Sequence, residues 1–212
     1  DCEQATLDYL EKEGWKFAQA GSGLSSVVQA EPVKKPSTEK GSLQISRNNN
    51  KPGWARKDNL GIKSNQYSIS FDYKNVVAPT AADSSNCFFQ VAEFSQDGLM
   101  KNLIKNNSEG LQFMLGSKRA DLMMNMKKWN HFDIDVDGSK VEISINGKVC
   151  FTGTSSSTDI PTQFGWIGDG DAEGTYWDGS SLYDNFAVKD SGKVIYQQNF
   201  DGETIAQLQS EG

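Results

Sequence analysis

The stretch Trp129-Asn-His-Phe-Asp-Ile-Asp-Val-Asp-Gly-Ser-Lys-Val-Glu-Ile-Ser-Ile-Asn-Gly-Lys-Val-Cys-Phe151 alternates apolar and polar residues around two turn dipeptides. Successive side chains of a β-strand point to opposite faces. Phe132, Ile134 and Val136 therefore share one face of a first strand, and Val141, Ile143 and Ile145 return on the same face in a second. Asp137-Gly138 and Asn146-Gly147 supply the residue types that tight hairpins need, because Gly and Asn accept the left-handed backbone of such turns. The segment reads as an antiparallel meander with one buried face.

The same reading extends along the chain. Residues 15–20, 42–47, 67–76, 86–94, 110–115, 131–136, 140–145, 148–153, 163–168, 181–189 and 193–200 read as strands, Tyr67-Ser-Ile-Ser-Phe-Asp-Tyr73 being the most regular. Glu31–Lys40 and Arg47–Lys63 read as loops, the first carrying two prolines and the second rich in Asn, Gly and Lys. Helical patterns are confined to Gln4–Glu13 and Gly202–Glu211, both short enough to be marginal on their own. With 20 glycines against 5 prolines, and short apolar runs between Gly, Asn, Asp and Ser clusters, the 212 residues describe many strands joined by tight turns. One all-β domain over residues 1–212 is expected, an antiparallel two-sheet jelly-roll sandwich with minor helical turns near the termini.

Net charge is −7, which argues against a nucleic-acid partner, since such partners need a clustered basic surface to displace counterions. The mild grouping of Lys51, Arg56, Lys57 and Lys63 reads as a solvated loop. No apolar run approaches the ~18 residues of a membrane-spanning helix, so no membrane insertion is expected. The first residue is Asp1, so a signal peptide is read as removed or not included. Among three cysteines, Cys87 and Cys150 lie in strand patterns, either as a disulfide or as two small buried hydrophobes. Asn106-Asn107-Ser108 is a glycosylation sequon, relevant in a eukaryotic secretory setting. Ala5–Gly14 aligns without gaps on Glu203–Gly212 at an offset of 198. Three readings stand: residues 203–212 open the next copy of a tandem repeat, the match is coincidence, or the two ends lie side by side.

Trp129-Asn-His-Phe-Asp-Ile-Asp-Val-Asp-Gly, with the following Val141-Glu-Ile-Ser-Ile-Asn-Gly147, resembles the central hairpins of the laminin-G-like, concanavalin-A-like jelly rolls. Phe164-Gly-Trp-Ile-Gly-Asp-Gly170 and Leu182-Tyr-Asp-Asn-Phe-Ala-Val188 resemble the closing strands of that family. The resemblance covers residues 125–190, while residues 1–120 share only strand count and length. It implies a superfold that hosts lectins, carbohydrate-binding modules, adhesion domains, glycosidases and polysaccharide lyases, so fold alone does not choose among them.

Asp169, Asp171 and Glu173 alternate before Gly174, a spacing that lets a turned loop direct hard oxygen ligands at one Ca²⁺. Position twelve of an EF-hand would be Glu, and Ser180 stands there instead. A Ca²⁺ site completed by Asp178, Asp184 or a backbone carbonyl is set against a solvated acidic turn. Tyr176-Trp177 and Trp54, the latter beside Arg56, offer loop aromatics that stack on a sugar face while neighbouring polar groups bond its hydroxyls. Trp15, Trp129 and Trp166 fall within strand patterns and are read as core, and Met123-Met124-Asn125-Met126 as core or sheet edge. His131 is the only histidine and stands where the resembling hairpin keeps a structural residue, which argues against a triad or a His metal site.

The Glu-x-Asp-x-x-Glu strand of laminarinase-like hydrolases does not occur in this sequence. Gln90, Glu93 and Tyr73 imitate the grouping used by lyases of the superfold without forming a motif. The leading expectation is an extracellular or cell-surface module, part of a larger protein, that binds a glycan or a protein partner through its loops. A polysaccharide hydrolase or lyase and a purely adhesive repeat are the alternatives.

Overall fold

The computed structural model describes residues 8–17, 24–28, 41–46, 54–77, 87–96, 100–107, 110–115, 118–120, 127–167 and 180–200. These form two antiparallel sheets packed face to face. The seven-stranded sheet runs β1 (Trp15–Phe17), β4 (Trp54–Lys57), β13 (Gln163–Ile167), β6 (Cys87–Phe94), β7 (Met100–Asn107), β8 (Gly110–Phe113), β9 (Lys118–Ala120). The eight-stranded sheet runs β12 (Lys148–Thr154), β11 (Lys140–Ile145), β10 (Asn130–Asp137), β5 (Gln66–Val77), β14 (Ser180–Asp190), β3 (Ser42–Ser46), β2 (Leu24–Val28), with β15 (Lys193–Gln198) also paired to β14. This is the expected two-sheet sandwich. Residues 8–12 form a helical turn within the expected Gln4–Glu13 segment. The second helical pattern and the whole 203–212 partner of the internal match lie outside the described residues.

The meander forms in the expected register, with Ile134 opposite Ile143 and Val136 opposite Val141. Phe132, Ile134, Val136, Val141, Ile143 and Ile145 are all buried. One detail differs. Asp137 is still paired, to Lys140, so the turn residues are Gly138 and Ser139. Gly138 takes φ +61°, the left-handed first position that a type II′ hairpin requires. Asn146 and Gly147 both take positive φ between paired Ile145 and Lys148, as the primed turn expected there demands.

Four strands lie where the sequence does not announce them: β2, β4, β7 and β9. β4 is four residues long, too short for periodicity to register against the loop composition around it. β7 turns Leu103 and Ile104 into the core within a largely polar sequence, and a register shift at Val91/Ala92 of its partner β6 interrupts the alternation.

Between the sheets the core is aromatic. Trp166 of β13 stacks on Tyr183 of β14 with ring centroids 4.6 Å apart and on Trp15 of β1 at 5.7 Å. It meets Phe71, Phe186 and Phe200 edge-on. Such pairs contribute about 0.5–1.5 kcal/mol each beyond the area they bury. Trp15, Trp129 and Trp166 are thus core residues as expected.

One expectation about polar residues is corrected, and one open alternative is decided. Lys57 is not part of a solvated loop; it is 4 % exposed. Its Nζ donates to the carbonyls of Glu13 at 2.6 Å and Asp58 at 2.7 Å and stands 4.6 Å from the Tyr196 ring centre. Burial lowers its pKa, with Glu13 and Asp58 opposing that shift. Cys150 carries a free thiol, so no Cys87–Cys150 disulfide forms. It occupies a bulge of β12, since Ile143 pairs Phe151 while Ser144 pairs Val149, and its Sγ donates to the Lys148 carbonyl. β6, with Cys87, belongs to the opposite sheet.

Candidate carbohydrate-binding face

Trp54 and Arg56 lie on β4, within the seven-stranded sheet, and not on a loop as the sequence suggested. Alternation along β4 sends Ala55 and Lys57 into the core and leaves Trp54 and Arg56 half-buried on the outer face. Buried Lys57, tied to the Glu13 and Asp58 carbonyls, fixes this orientation, and the Asp58 amide donates to the Gly14 carbonyl at 2.8 Å.

Trp54, Ala55, Arg56, Phe94 and Gly165 line a shallow depression of about 220 Å³ on this face. Gly165 lies opposite Arg56 on one side and Ala92 on the other. A Cβ at Gly165 would stand 2.7 Å from the Ala55 carbonyl oxygen and 3.3 Å from the Arg56 Cα and Cβ, so only glycine permits this approach of β4 and β13. The Arg56 guanidinium carbon lies 5.6 Å from the Phe94 ring centre, a cation–π contact. Its Nε lies 3.0 Å from Asp58 Oδ1, and Lys16 Nζ lies 2.5 Å from Asp58 Oδ2. One carboxylate therefore stands between two cations. The Arg56–Asp58 approach is an ion pair without hydrogen-bond geometry, since the buried Nε and Oδ1 atoms have no hydrogen-bond partner.

The depression combines an aromatic side chain, a guanidinium held in place by an aromatic ring and a carboxylate, and a glycine floor. Such groups stack on an apolar ring face and donate to hydroxyl or acidic oxygens.

The lyase-like grouping of Gln90, Glu93 and Tyr73 is not assembled. Glu93 and Tyr73 both face the core, at 2 % and 0 % exposure. Glu93 accepts a hydrogen bond from the Tyr67 hydroxyl at 2.9 Å and pairs with Lys101 Nζ at 3.1 Å. Burial, reinforced by the Glu93 charge, raises the Tyr67 pKa far above its ordinary value. The trio is a satisfied internal network, which is how a buried carboxylate is normally tolerated.

His131 lies on the outer face of the eight-stranded sheet. Its Nδ1 is 2.6 Å from Asp72 Oδ1 and its Nε2 3.3 Å from Asp133 Oδ1. Asn185 Nδ2 donates to the other Asp72 oxygen at 2.7 Å. Hydrogen bonds from the ring to Asp133 and Asp72 push its pKa up to about 10, against a smaller opposing effect of burial. With both nitrogens facing carboxylates the ring is a held cation, in line with a scaffold role. A larger cavity of about 590 Å³ on this side is lined by Asp135, Asp137 and Glu142 together with Gln66, Lys140 and Ser191. Burial, with Asp133 and Glu142 nearby, raises the Asp135 pKa. Here volume is a poor guide to the ligand, because this cavity is ringed by carboxylates and its one aromatic residue, Tyr67, is buried with its hydroxyl committed to Glu93.

Of the residues singled out from sequence, Tyr176 and Trp177, and the Ca²⁺ candidates Asp169, Asp171, Glu173 and Asp178, lie outside the described residues. Asp184, named to complete that site, is buried in β14 and accepts from the Asn185 amide at 2.6 Å. Among the described residues no group of three or more His, Cys, Asp or Glu is placed to hold a metal ion. Phe94 and Gly165 carry no sequence signal beyond strand patterns. Their part in the depression follows from β13 inserting between β4 and β6, a pairing between segments distant in sequence.

No family model matches the chain. No curated protein matches it either. Solved structures do resemble it. A sialidase superposes with a TM-score of 0.60 at 11 % identity, over 84 % of this chain and 17 % of that one, so the chain spans about a sixth of that protein's length. The alginate lyase AlyC3 gives 0.48 at 12 % identity, over 70 % of this chain and 74 % of that one. The carbohydrate-binding module CBM66 from Bacillus subtilis gives 0.45 at 10 % identity, over 84 % and 96 %. At 11 % identity the sialidase likeness is one of fold alone.

Proposed function

We propose that the protein is a carbohydrate-binding module of the concanavalin-A-like superfold that holds its glycan on the outer face of the seven-stranded sheet, at Trp54, Arg56, Phe94 and Gly165. The observation that carries this reading is the depression itself, where an aromatic side chain and an ion-paired guanidinium flank a position that only glycine can occupy. It moves the expected ligand from loops to a sheet surface. A flat, rigid face favours binding an extended chain, because its side chains are already ordered and little entropy is lost on association.

A binding role is preferred over the enzymatic alternative because the carboxylate and tyrosine that would have served a lyase, Glu93 and Tyr73, are committed to the core. The module is proposed to act as one domain of a secreted or cell-surface protein. No helix among the described residues is long and apolar enough to cross a membrane.

Affinity electrophoresis through gels containing soluble polysaccharides tests the reading. Retardation by at least one polysaccharide is expected, and Trp54→Ala should weaken it about tenfold or more, the scale of a lost aromatic platform worth one to two kcal/mol. Retardation unchanged by Trp54→Ala, with the fold intact by circular dichroism, would remove this face as the site.

A further inference from the structure

We infer that the glycan this face binds is an anionic polysaccharide, its carboxylate or sulfate groups engaging a band of basic and amide residues that crosses the seven-stranded sheet. The inference rests on the carbohydrate-binding reading and specifies its ligand. The first observation is charge segregation. The strands of the seven-stranded sheet carry seven Lys or Arg residues and one carboxylate, Glu93, which is buried and neutralised by Lys101. The strands of the other sheet carry seven Asp or Glu against five Lys. In a chain of net charge −7, the strands of this sheet thus carry an excess of positive charge while those of the other carry an excess of negative charge.

The second observation is register. Trp54 is the backbone partner of Ile167, Ile167 of Gln90, Gln90 of Lys105, Lys105 of Gln112, and Gln112 of Arg119. These six positions form one row across six strands, and cross-strand partners share a face of the sheet. Five interstrand steps of about 4.8 Å give the row a length of about 24 Å, which suits several sugars in line rather than one. Beyond Ile167 the row alternates amide and cation: Gln90, Lys105, Gln112, Arg119. Next to the Trp54 end, Arg56 is the partner of both Lys16 and Gly165, and the Lys16–Asp58–Arg56 group carries two positive charges against one negative.

The register sets two cationic residues, Lys105 and Arg119, along this row beyond the Lys16–Arg56 end, a spacing that suits acidic groups repeated along a polysaccharide better than a neutral glycan. Guanidinium and ammonium groups bind such oxyanions through charge-assisted hydrogen bonds, and the intervening amides donate to hydroxyls. The chain's overall negative charge opposes the much denser charge of a polyphosphate.

The test uses the intact chain against polygalacturonate, its fully methyl-esterified form, a sulfated galactan, a neutral mannan and single-stranded DNA, at low and at physiological salt. Binding to polygalacturonate or to the sulfated galactan is expected, and the pair distinguishes carboxylate from sulfate recognition. Affinity should fall several-fold or more as salt rises from about 10 mM to about 150 mM, because the Debye length shrinks from about 30 Å to about 8 Å. Combined Lys105→Gln and Arg119→Gln substitution should cost about tenfold or more, on the scale of two lost charge-assisted contacts. Lys140→Gln and Lys148→Gln on the other sheet should cost nothing.

Equal affinity for the esterified polymer and the acid would overturn the anionic specificity, a comparison that needs no variant to fold. Were the mannan bound in a Trp54-dependent way and the acidic polymers ignored, the binding face would stand and this inference would fall. Failure of every polysaccharide, or preference for single-stranded DNA, would end both readings.

Discussion

The two sheets meet in one core yet present opposite surfaces. Inward, they are alike: Trp166 and Trp15 from the seven-stranded sheet interleave with Tyr183, Phe186 and Phe71 from the other. Outward, the eight-stranded sheet shows a His131 cation held by Asp72 and Asp133 and a cavity lined by Asp135, Asp137 and Glu142, while the strands of the seven-stranded sheet are richer in Lys and Arg than in Asp and Glu and carry the Trp54–Arg56 depression. The difference teaches that the alternation which builds the core says nothing about what the outward positions carry. Folding constrains every second residue, and the remaining ones are open to differentiation by charge.

The strongest way to break the comparison is to remove what the sheets share. Trp166→Ala takes away the ring that touches both layers and should cost about 4 kcal/mol, the scale for deleting a buried tryptophan. Urea denaturation should show both sheets failing in one transition; a loss under about 1 kcal/mol would mean that the interface does not depend on this ring.

A smaller effect separates the inside of the basic sheet from its outside. Lys101→Met leaves Glu93 charged and buried with only the Tyr67 hydroxyl, and should destabilise by about 2–3 kcal/mol, somewhat below the usual cost of orphaning a buried charge because Lys101 is partly exposed. Glycan binding by the folded fraction should be unchanged. If binding falls while stability holds, Lys101 belongs to the outer face and not to the internal network.

The smallest effect concerns the acidic face. The pKa of His131 is raised in the folded state from its ordinary 6.5 to about 10, so its charge stabilises the fold fully below pH 6.5, and that contribution disappears as pH rises through about 10. His131→Gln should therefore lower stability at pH 6 and bring variant and parent together above pH 10, by under about 1 kcal/mol because the ring is half-exposed. A difference constant from pH 6 to pH 10.5 would show that the ring acts by packing and not by charge.

Much of this was legible residue by residue. The meander at 129–151 fixed its own register because an error of one residue would turn Phe132, Ile134 and Val136 outward together. The three core tryptophans were legible for the same reason. Trp54 and Arg56 were picked out by residue type but assigned to a loop, since four residues are too few to show a period. Lys57 was misread as solvated because its partners are the Glu13 carbonyl, 44 positions away, and the Tyr196 ring. A strand as polar as 100–107, with lysines and no acid, was the available signal for the basic band, but its meaning depends on neighbours that the chain order does not reveal.

By itself the sequence determined the fold class, the hairpin turns and the buried aromatic faces, because these rest on local alternation and on the backbone freedom of Gly and Asn. Only the tertiary structure decided that β13 inserts between β4 and β6, that Gly165 meets Arg56, and that Gln90, Lys105, Gln112 and Arg119 fall into one row with Trp54. Those juxtapositions are pairings between strands, set by how the apolar faces of the whole chain are buried together, and no short window of residues contains them.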